Sequence, residues 1–292
     1  QDLYSVEQLV NSGIGSDGNP LPAGGSLVDI SDTPYAFAPE KTRKISYLFL
    51  QDVWTINDIL ELTAGARYDN YSDFGGTLNP RLALVWKNSQ KLTTKLIYGQ
   101  AFRAPSYQEL FAETSRSLPN TDLDPERSQT LELAFSYTAT QNLHLNLNLY
   151  HLKQTDIIQA TTVTGLAIPQ FQNIGDHSIN GFELEAHWQA TNDLIISGNY
   201  SHTNPHEDEY RSFDQPDQEA YLRIDWGFKP EWNWNLQTNW IDERPRTSSD
   251  TRDPVEAYFL TDTTIRFAQS KNWELAASVR NLFDTDAREY TG

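Results

Sequence analysis

Cysteine and methionine are both absent from this chain of 292 residues, and each absence excludes something before any motif is read. Without cysteine, neither a disulfide framework nor a thiolate metal site can form. No methionine opens the chain, which begins Gln1-Asp2-Leu3, and no basic, apolar and small-residue zones mark a signal peptide. The chain is therefore expected to be a piece of something longer, with a processed mature protein as the plainer alternative. Positive charge is scarce, since 22 Lys and Arg stand against 40 Asp and Glu for a net charge of −18. Nucleic acid is not an expected partner, because binding phosphates needs a Lys/Arg surface. Long apolar runs are missing as well. At a mean hydropathy of −0.60, nothing approaches the ~20 apolar residues of a spanning helix. That does not exclude a membrane, because a spanning barrel strand needs only ~9–11 residues with every second one apolar. What the chain does have is aromatic side chains: 8 Trp, 14 Tyr and 13 Phe.

Residues 1–42 are rich in Gly, Pro, Ser and Asp without a sustained period, and read as a long loop. From Arg43 onward one unit repeats: an alternating run, a short polar turn, a second alternating run, a longer polar loop. Leu143, Leu145, Leu147 and Leu149 alternate with His144, Asn146, Asn148 and Tyr150. Phe182, Leu184, Ala186 and Trp188 alternate with Glu183, Glu185 and His187, and Trp232, Trp234, Leu236 and Trp240 alternate with Asn and Gln. Period two means strand, with one apolar face. About a dozen strands are expected, near 43–54, 59–69, 79–86, 91–100, 127–138, 143–158, 174–189, 194–203, 217–228, 233–243, 256–267 and 273–284. In the first, Ile45, Tyr47 and Phe49 compete with Leu48 and Leu50 for the apolar face. Connections of a few residues, such as Thr55–Asp58 and Lys229–Trp232, alternate with long ones that include 101–126, 159–173 and 204–216. Outer-membrane barrels have this asymmetry.

A soluble sandwich would turn its apolar faces inward on each other. Two features favour lipid instead. Aromatics stand near the strand ends (Trp54, Tyr68, Trp86, Tyr98, Tyr137, Trp188, Tyr200, Trp226, Trp240, Trp273), as an interfacial girdle requires. The alternate positions carry Glu61, Arg67, Arg81, Lys95, Glu132, Arg223, Asp225, Arg266, Glu274 and Arg280, as a wet lumen requires.

Several strings resemble TonB-dependent outer-membrane receptors of the siderophore type. Leu62-Thr63-Ala64-Gly65-Ala66-Arg67-Tyr68-Asp69 with Leu78-Asn79-Pro80-Arg81-Leu82 looks like that family's paired mid-barrel strands. Tyr98-Gly99-Gln100-Ala101-Phe102-Arg103-Ala104-Pro105-Ser106 with Glu109-Leu110-Phe111 resembles the box opening a major extracellular loop. Leu123-Asp124-Pro125-Glu126-Arg127-Ser128 with Leu131-Glu132-Leu133 resembles the return strand. Asn173-Ile174-Gly175, Ile179-Asn180-Gly181-Phe182-Glu183-Leu184-Glu185 and Val279-Arg280-Asn281-Leu282-Phe283-Asp284 complete the set in family order. The resemblance implies an all-β, antiparallel, up-and-down transmembrane barrel of which about 12 strands of twenty-two are present. Residues 1–42 would form an extracellular loop and 43–292 a partial barrel. Strand direction makes these the tenth to the twenty-first, with a closing strand and the plug domain absent. Such an isolated piece is expected either to close into a smaller barrel or to remain an open curved sheet with bare edges. The implied location is the Gram-negative outer membrane. The implied partners are membrane lipid, a ferric chelate or similar small ligand, and TonB through the missing N-terminal plug region. A passive porin and a soluble all-β binding module are the alternatives.

Gly13-Ile14-Gly15-Ser16-Asp17-Gly18 matches a dinucleotide fingerprint, but Asn19-Pro20-Leu21-Pro22 follows where a helix is needed, so it reads as a flexible loop. His202, His206, Glu207, Asp208 and Glu209 have metal-ligand chemistry, and Asp122, Asp124 and Glu126 a calcium-like spacing. The plainer account of both is a solvated acidic loop, so no metal is expected. By the resemblance, Arg103, Tyr107, Arg116 and Arg127 overhang the lumen, where Arg and Tyr can engage an anionic aromatic chelate. The competing account has Arg103 and Arg127 paired with carboxylates at the strand ends. Haem is disfavoured, because no His lies between residues 102 and 126 and Leu118-Pro119-Asn120-Thr121 only distantly echoes the haem receptors' string. No nucleophile–base constellation stands out, so neither an enzyme nor a cofactor is expected.

Overall fold

The computed structural model describes residues 2–3, 8–22, 24–31, 33–205, 215–246, 250–270 and 272–289. Twelve long strands form one antiparallel sheet. They are β1 (Ile45–Asn57), β2 (Leu60–Tyr71), β3 (Gly75–Lys87), β4 (Leu92–Arg103), β5 (Glu126–Thr140) and β6 (Leu143–Thr155). Then come β7 (His177–Gln189), β8 (Leu194–Pro205), β9 (Gln218–Lys229), β10 (Trp232–Ile241), β11 (Tyr258–Ser270) and β12 (Trp273–Val279). Each pairs with its sequence neighbours, leaving β1 and β12 as the two edges of an open sheet. Of the two outcomes expected for a partial barrel, this is the open one.

Cross-strand register assigns every side chain to a face, because opposed residues share one. A single row runs Trp54, Leu62, Leu84, Leu96, Leu133, Leu149, Phe182, each opposite the next. The next row on the other face runs Glu61, Val85, Lys95, Ala134, Asn148, Glu183, Ser201, Glu219. The first row lies on the apolar face and the second on the hydrated one. The register also resolves β1, since Leu48 faces Tyr68 and Leu50 faces Ala66, while Phe49 faces Arg67. Tyr47 and Phe49 therefore stand on the charged face, where the Arg67 guanidinium lies 4.2 Å from the Tyr47 ring centre.

The apolar face has no second layer over it. Leu48 is 73% and Leu50 76% exposed to water, with Leu78, Trp86, Leu184, Trp226 and Leu275 among many others on that face also open. A sandwich would bury these. Trp86 lies opposite Leu60 and Leu78 opposite Tyr68, so two aromatic levels sit eight residues apart on β2 and β3. At ~3.3 Å per residue and a tilt of ~40° that is about 20 Å along the membrane normal, close to the ~25 Å apolar band of such barrels.

Most strand ends fall within three residues of the sequence reading, and two boundaries differ by more. Residues 70–78 were expected as connection, yet Tyr71 and Gly75 are both in strand and only 72–74 turn. Above the membrane a hairpin needs no apolar alternation, so the polar, Gly-rich continuation carries no periodic signal. The strand expected at 273–284 stops at Val279, because Asn281 (φ 49°) and Asp284 (φ 51°) turn the chain instead. The fingerprint-like glycines form a turn, in which the Gly15 N–H donates to the Asn19 carbonyl at 2.8 Å and Ile14 bridges Pro20.

Candidate functional site

The long connections rise from one rim, and the structure binds three of them together. After β4 the chain forms a short helix, α1 (Tyr107–Phe111), whose capping box joins Ser106 and Glu109. The Ser106 N–H donates to the Glu109 carboxylate at 2.6 Å. Arg103 ends β4 directly opposite Glu126, the first residue of β5. Its guanidinium donates to both Glu126 oxygens at 2.6 Å and to both Glu109 oxygens at 3.0 Å. Glu126 also accepts the Ile158 N–H at 2.8 Å, which ties in the next long connection. Burial pushes the Glu109 carboxyl up, but hydrogen bonds from Arg103 and Ser106 outweigh it, and the acid sits below its ordinary range.

Asparagines extend the knot. Asn120 Nδ2 donates to the Phe171 carbonyl at 2.9 Å, and Asn173 Nδ2 donates to the carbonyls of Asp124 and Asp156 at 2.9 and 2.7 Å. Leu110, Leu123 and Ile158 are buried against Phe111 and Phe171, the last on a hairpin formed by Ile158–Thr161 and Gln170–Asn173. The segment before β1 joins from the other side. Tyr107 donates its hydroxyl to the Pro39 carbonyl, Glu113 N–H to Phe37 O at 2.7 Å, and Arg43 Nη2 to Pro105 O at 2.7 Å.

The four sequence candidates are thus divided. Arg103 is a strut, its donors occupied by two carboxylates. Tyr107 is held by Pro39, its ring 5.9 Å from Phe111, and burial pushes its hydroxyl's pKa up. Arg116 is exposed on the connection and no ion pair joins it to another described residue. Arg127 lies opposite Phe102, on the apolar face and away from the other three. Of the metal candidates, His202 also stands on that face, opposite Phe182, while His206 and Asp208 lie outside the described residues. Glu126 is taken by Arg103 rather than grouped with Asp122 and Asp124. The competing sequence account, with Arg103 paired to carboxylates at the strand ends, holds for Arg103, and the Ser106-x-x-Glu109 capping-box pattern is a further local signal that the sequence reading missed. No local pattern gives the partners of Asn120 and Asn173, which lie 17 to 51 residues away.

Residues 5–282 match the family model described as the β-barrel of TonB-dependent receptor-like proteins. The chain belongs to the TonB-dependent receptor barrel family. Relatives of this receptor barrel include an iron-regulated outer membrane virulence protein of Vibrio cholerae, 24% identical over 82% of this chain and 40% of the relative. The vitamin B12 transporter BtuB of the same species is 22% identical over 79% of this chain and 37% of its own length. The metal-pseudopaline receptor CntO of Pseudomonas aeruginosa is 27% identical over 81% of this chain and 36% of the relative. Among solved structures, the ferric enterobactin receptor PfeA of Pseudomonas aeruginosa superposes with TM-score 0.72 at 19% identity, covering 84% of this chain and 40% of that one. The siderophore receptor PirA of Acinetobacter baumannii gives 0.73 at 18% identity, over 85% and 42%. At such identities the structures establish the fold alone. The receptor barrel spans about 40% of the virulence protein it matches, and its place is the outer membrane of a Gram-negative bacterium.

Proposed function

We propose that the chain supplies wall and outer loops to a TonB-dependent importer of a ferric siderophore or a similar scarce nutrient. In this reading the short turns face the periplasm, and residues 1–42 with the other long connections lie outside the cell. The reading rests on the family match over residues 5–282, laid on a sheet whose hydrated face carries Arg67, Arg81, Lys95, Arg223 and Arg266. Arg116, exposed and in no ion pair with another described residue, is a cation that can meet an anionic chelate, while Arg103 keeps the loops in place. TonB would act through a plug region outside this chain. No observation favours the porin alternative. The test places the complete receptor in an iron-starved strain and follows uptake of ⁵⁵Fe-loaded catecholate, hydroxamate and mixed-ligand chelates. Uptake of one class that vanishes without TonB is the expected result. Solute entry that persists without TonB overturns the reading.

A further inference from the structure

In a chain of net charge −18, one small region of the apolar face is cationic. Past the bulge at the short-turn end of β9, Lys229 lies opposite Trp232; at the long-loop end, register places two of the described Lys and Arg residues on the strands' apolar face: Arg127 on β5 and Lys153 on β6. They are close neighbours, because Thr155 lies opposite Arg127 and Lys153 opposite Gln129, two residues along. Such diagonal pairs stand ~7–8 Å apart. His151, two residues before Lys153, is on the same face, and its ring is fixed by a 2.7 Å hydrogen bond to Asn180. His202 follows on β8 beside the Phe182 ring, 5.7 Å between centroids. His202 Nδ1 is buried without a hydrogen-bond partner. The described strands place one carboxylate on this face, Asp52 on β1, four strands from β5 in the sheet order. Arg127, His151 and Lys153 are exposed, and none of the ion pairs among the described residues involves Arg127 or Lys153.

The height of the patch is as informative as its sign. Tyr98, an aromatic of the long-loop girdle, lies opposite Leu131. Gln129 is two residues and Arg127 four residues beyond that level on β5. At ~3.3 Å per residue this puts the two cations about 7 and 13 Å further along the strand, just above the hydrocarbon boundary. Groups there meet lipid headgroups rather than tails. Like charges set side by side without an acid repel each other unless an anion bridges them.

From this we infer that Arg127 and Lys153, flanked by His151, form a docking site for the phosphate of a phosphorylated glycolipid headgroup in the outer leaflet. The guanidinium offers a bidentate fork to the phosphate and the ammonium a point charge beside it. Acyl chains then lie on the surface of Tyr98, Leu131, Leu133 and Leu149 below. The site rests on the membrane orientation given above and not on the identity of the imported substrate.

The test uses the complete receptor in detergent, titrated with bisphosphorylated lipid A and read by native mass spectrometry. Lipid A stripped of its phosphates and inorganic phosphate serve as separate arms. The intact receptor is expected to retain the phosphorylated lipid, and R127Q/K153Q to retain it about tenfold less, as loss of one to two charge-assisted bonds dictates. Heat-modifiable migration on gels shows that the variant barrel still folds. Equal retention by the variant, or of the dephosphorylated lipid, overturns the site. Competition by inorganic phosphate at equal concentration makes it a soluble-anion site and overturns the lipid assignment. Orientation is read separately: these 292 residues hold no cysteine, and with any cysteine elsewhere in the complete receptor replaced, Arg116→Cys should react with an impermeant maleimide on whole cells.

Discussion

Removing the Arg103 guanidinium should loosen the outer loops while leaving the sheet intact. Its side chain is 45% exposed, so its Coulombic attraction is screened to the ~0–1 kcal/mol of surface pairs. The larger cost falls on the acids. The Glu109 and Glu126 side chains are only 13% and 18% exposed, and without Arg103 they confront each other as like charges. Each still keeps one backbone N–H, from Ser106 and Ile158 respectively, so each loses part of its hydrogen bonding and not all. A hydrogen bond to a charged group contributes ~1.5–3 kcal/mol, and partial loss at two acids comes to about 2–3 kcal/mol. That corresponds to loop opening about 30- to 150-fold more frequent. Hydrogen exchange of the complete receptor with Arg103→Ala, followed by mass spectrometry, should show this acceleration in peptides from 104–125 and 156–176. Peptides within β6 and β7 should not change, and neither should Arg116→Ala. Acceleration below about fivefold, worth ~1 kcal/mol, would refute the strut, as would acceleration spread evenly over the sheet.

Acid should act on the same knot. Glu109 titrates below its ordinary value of 4.5 in the folded loop, so its contribution is complete above that value and is lost as pH falls through the lower folded value; exchange in 104–125 should rise only in that acid window and should do so at higher pH in Ser106→Ala. Leu147, opposite Phe135 and Leu184 on the apolar face, should cost ~2–4 kcal/mol of folding free energy in lipid vesicles as Leu147→Arg, and the hydrated-face Asn148→Arg far less, as read from urea midpoints. Gly181 lies beneath the Tyr150 ring with the His202 carbonyl 2.6 Å from where a Cβ would stand, so Gly181→Ala should lower the same midpoint by ~1–3 kcal/mol equivalent. Gly99, with nothing within 4 Å, should accept alanine nearly silently.

The wall was legible because lipid on one side and water on the other impose a strict period of two wherever the chain crosses the membrane. All ten aromatics read as girdle residues share one face, and nine of the ten charged residues read as lumenal share the other, Arg280 lying past the end of β12. Legibility faded at the rim, where both faces meet water. There Tyr71 and Gly75 extend a hairpin that polar composition disguised as a loop. The site was harder still. Arg103 and Arg127 sit in adjacent boxes and look equivalent as sequence, yet pairing Arg103 with Glu126 sends Arg127 to the opposite face. A shift of one residue decides it, and no local feature records that shift. In β1, Tyr47 and Phe49 blurred the pattern because their rings stand on the hydrated face, Tyr47 beside a guanidinium.

The distribution of buried side chains separates two sources of stability. Among the described residues, Ile30, Leu110, Ala112, Leu123, Ile158, Val255 and Tyr258 are the buried hydrophobics, and all lie in the long connections or at the strand ends that join them. The sheet itself buries polar side chains such as Asp69 and Thr77 but almost no apolar ones, since its apolar face is suited to lipid and its hydrated face to a lumen. Its strands hold by ladder hydrogen bonds that water would compete for and hydrocarbon cannot. The loops, by contrast, carry a small core of the kind that works in water. The two meet where Arg103 and Glu126 close the end of the β4–β5 ladder and also bind α1 and Ile158. A ligand that draws on that junction would move the loops without disturbing the wall, which is what a receptor embedded in a membrane requires of its outer surface.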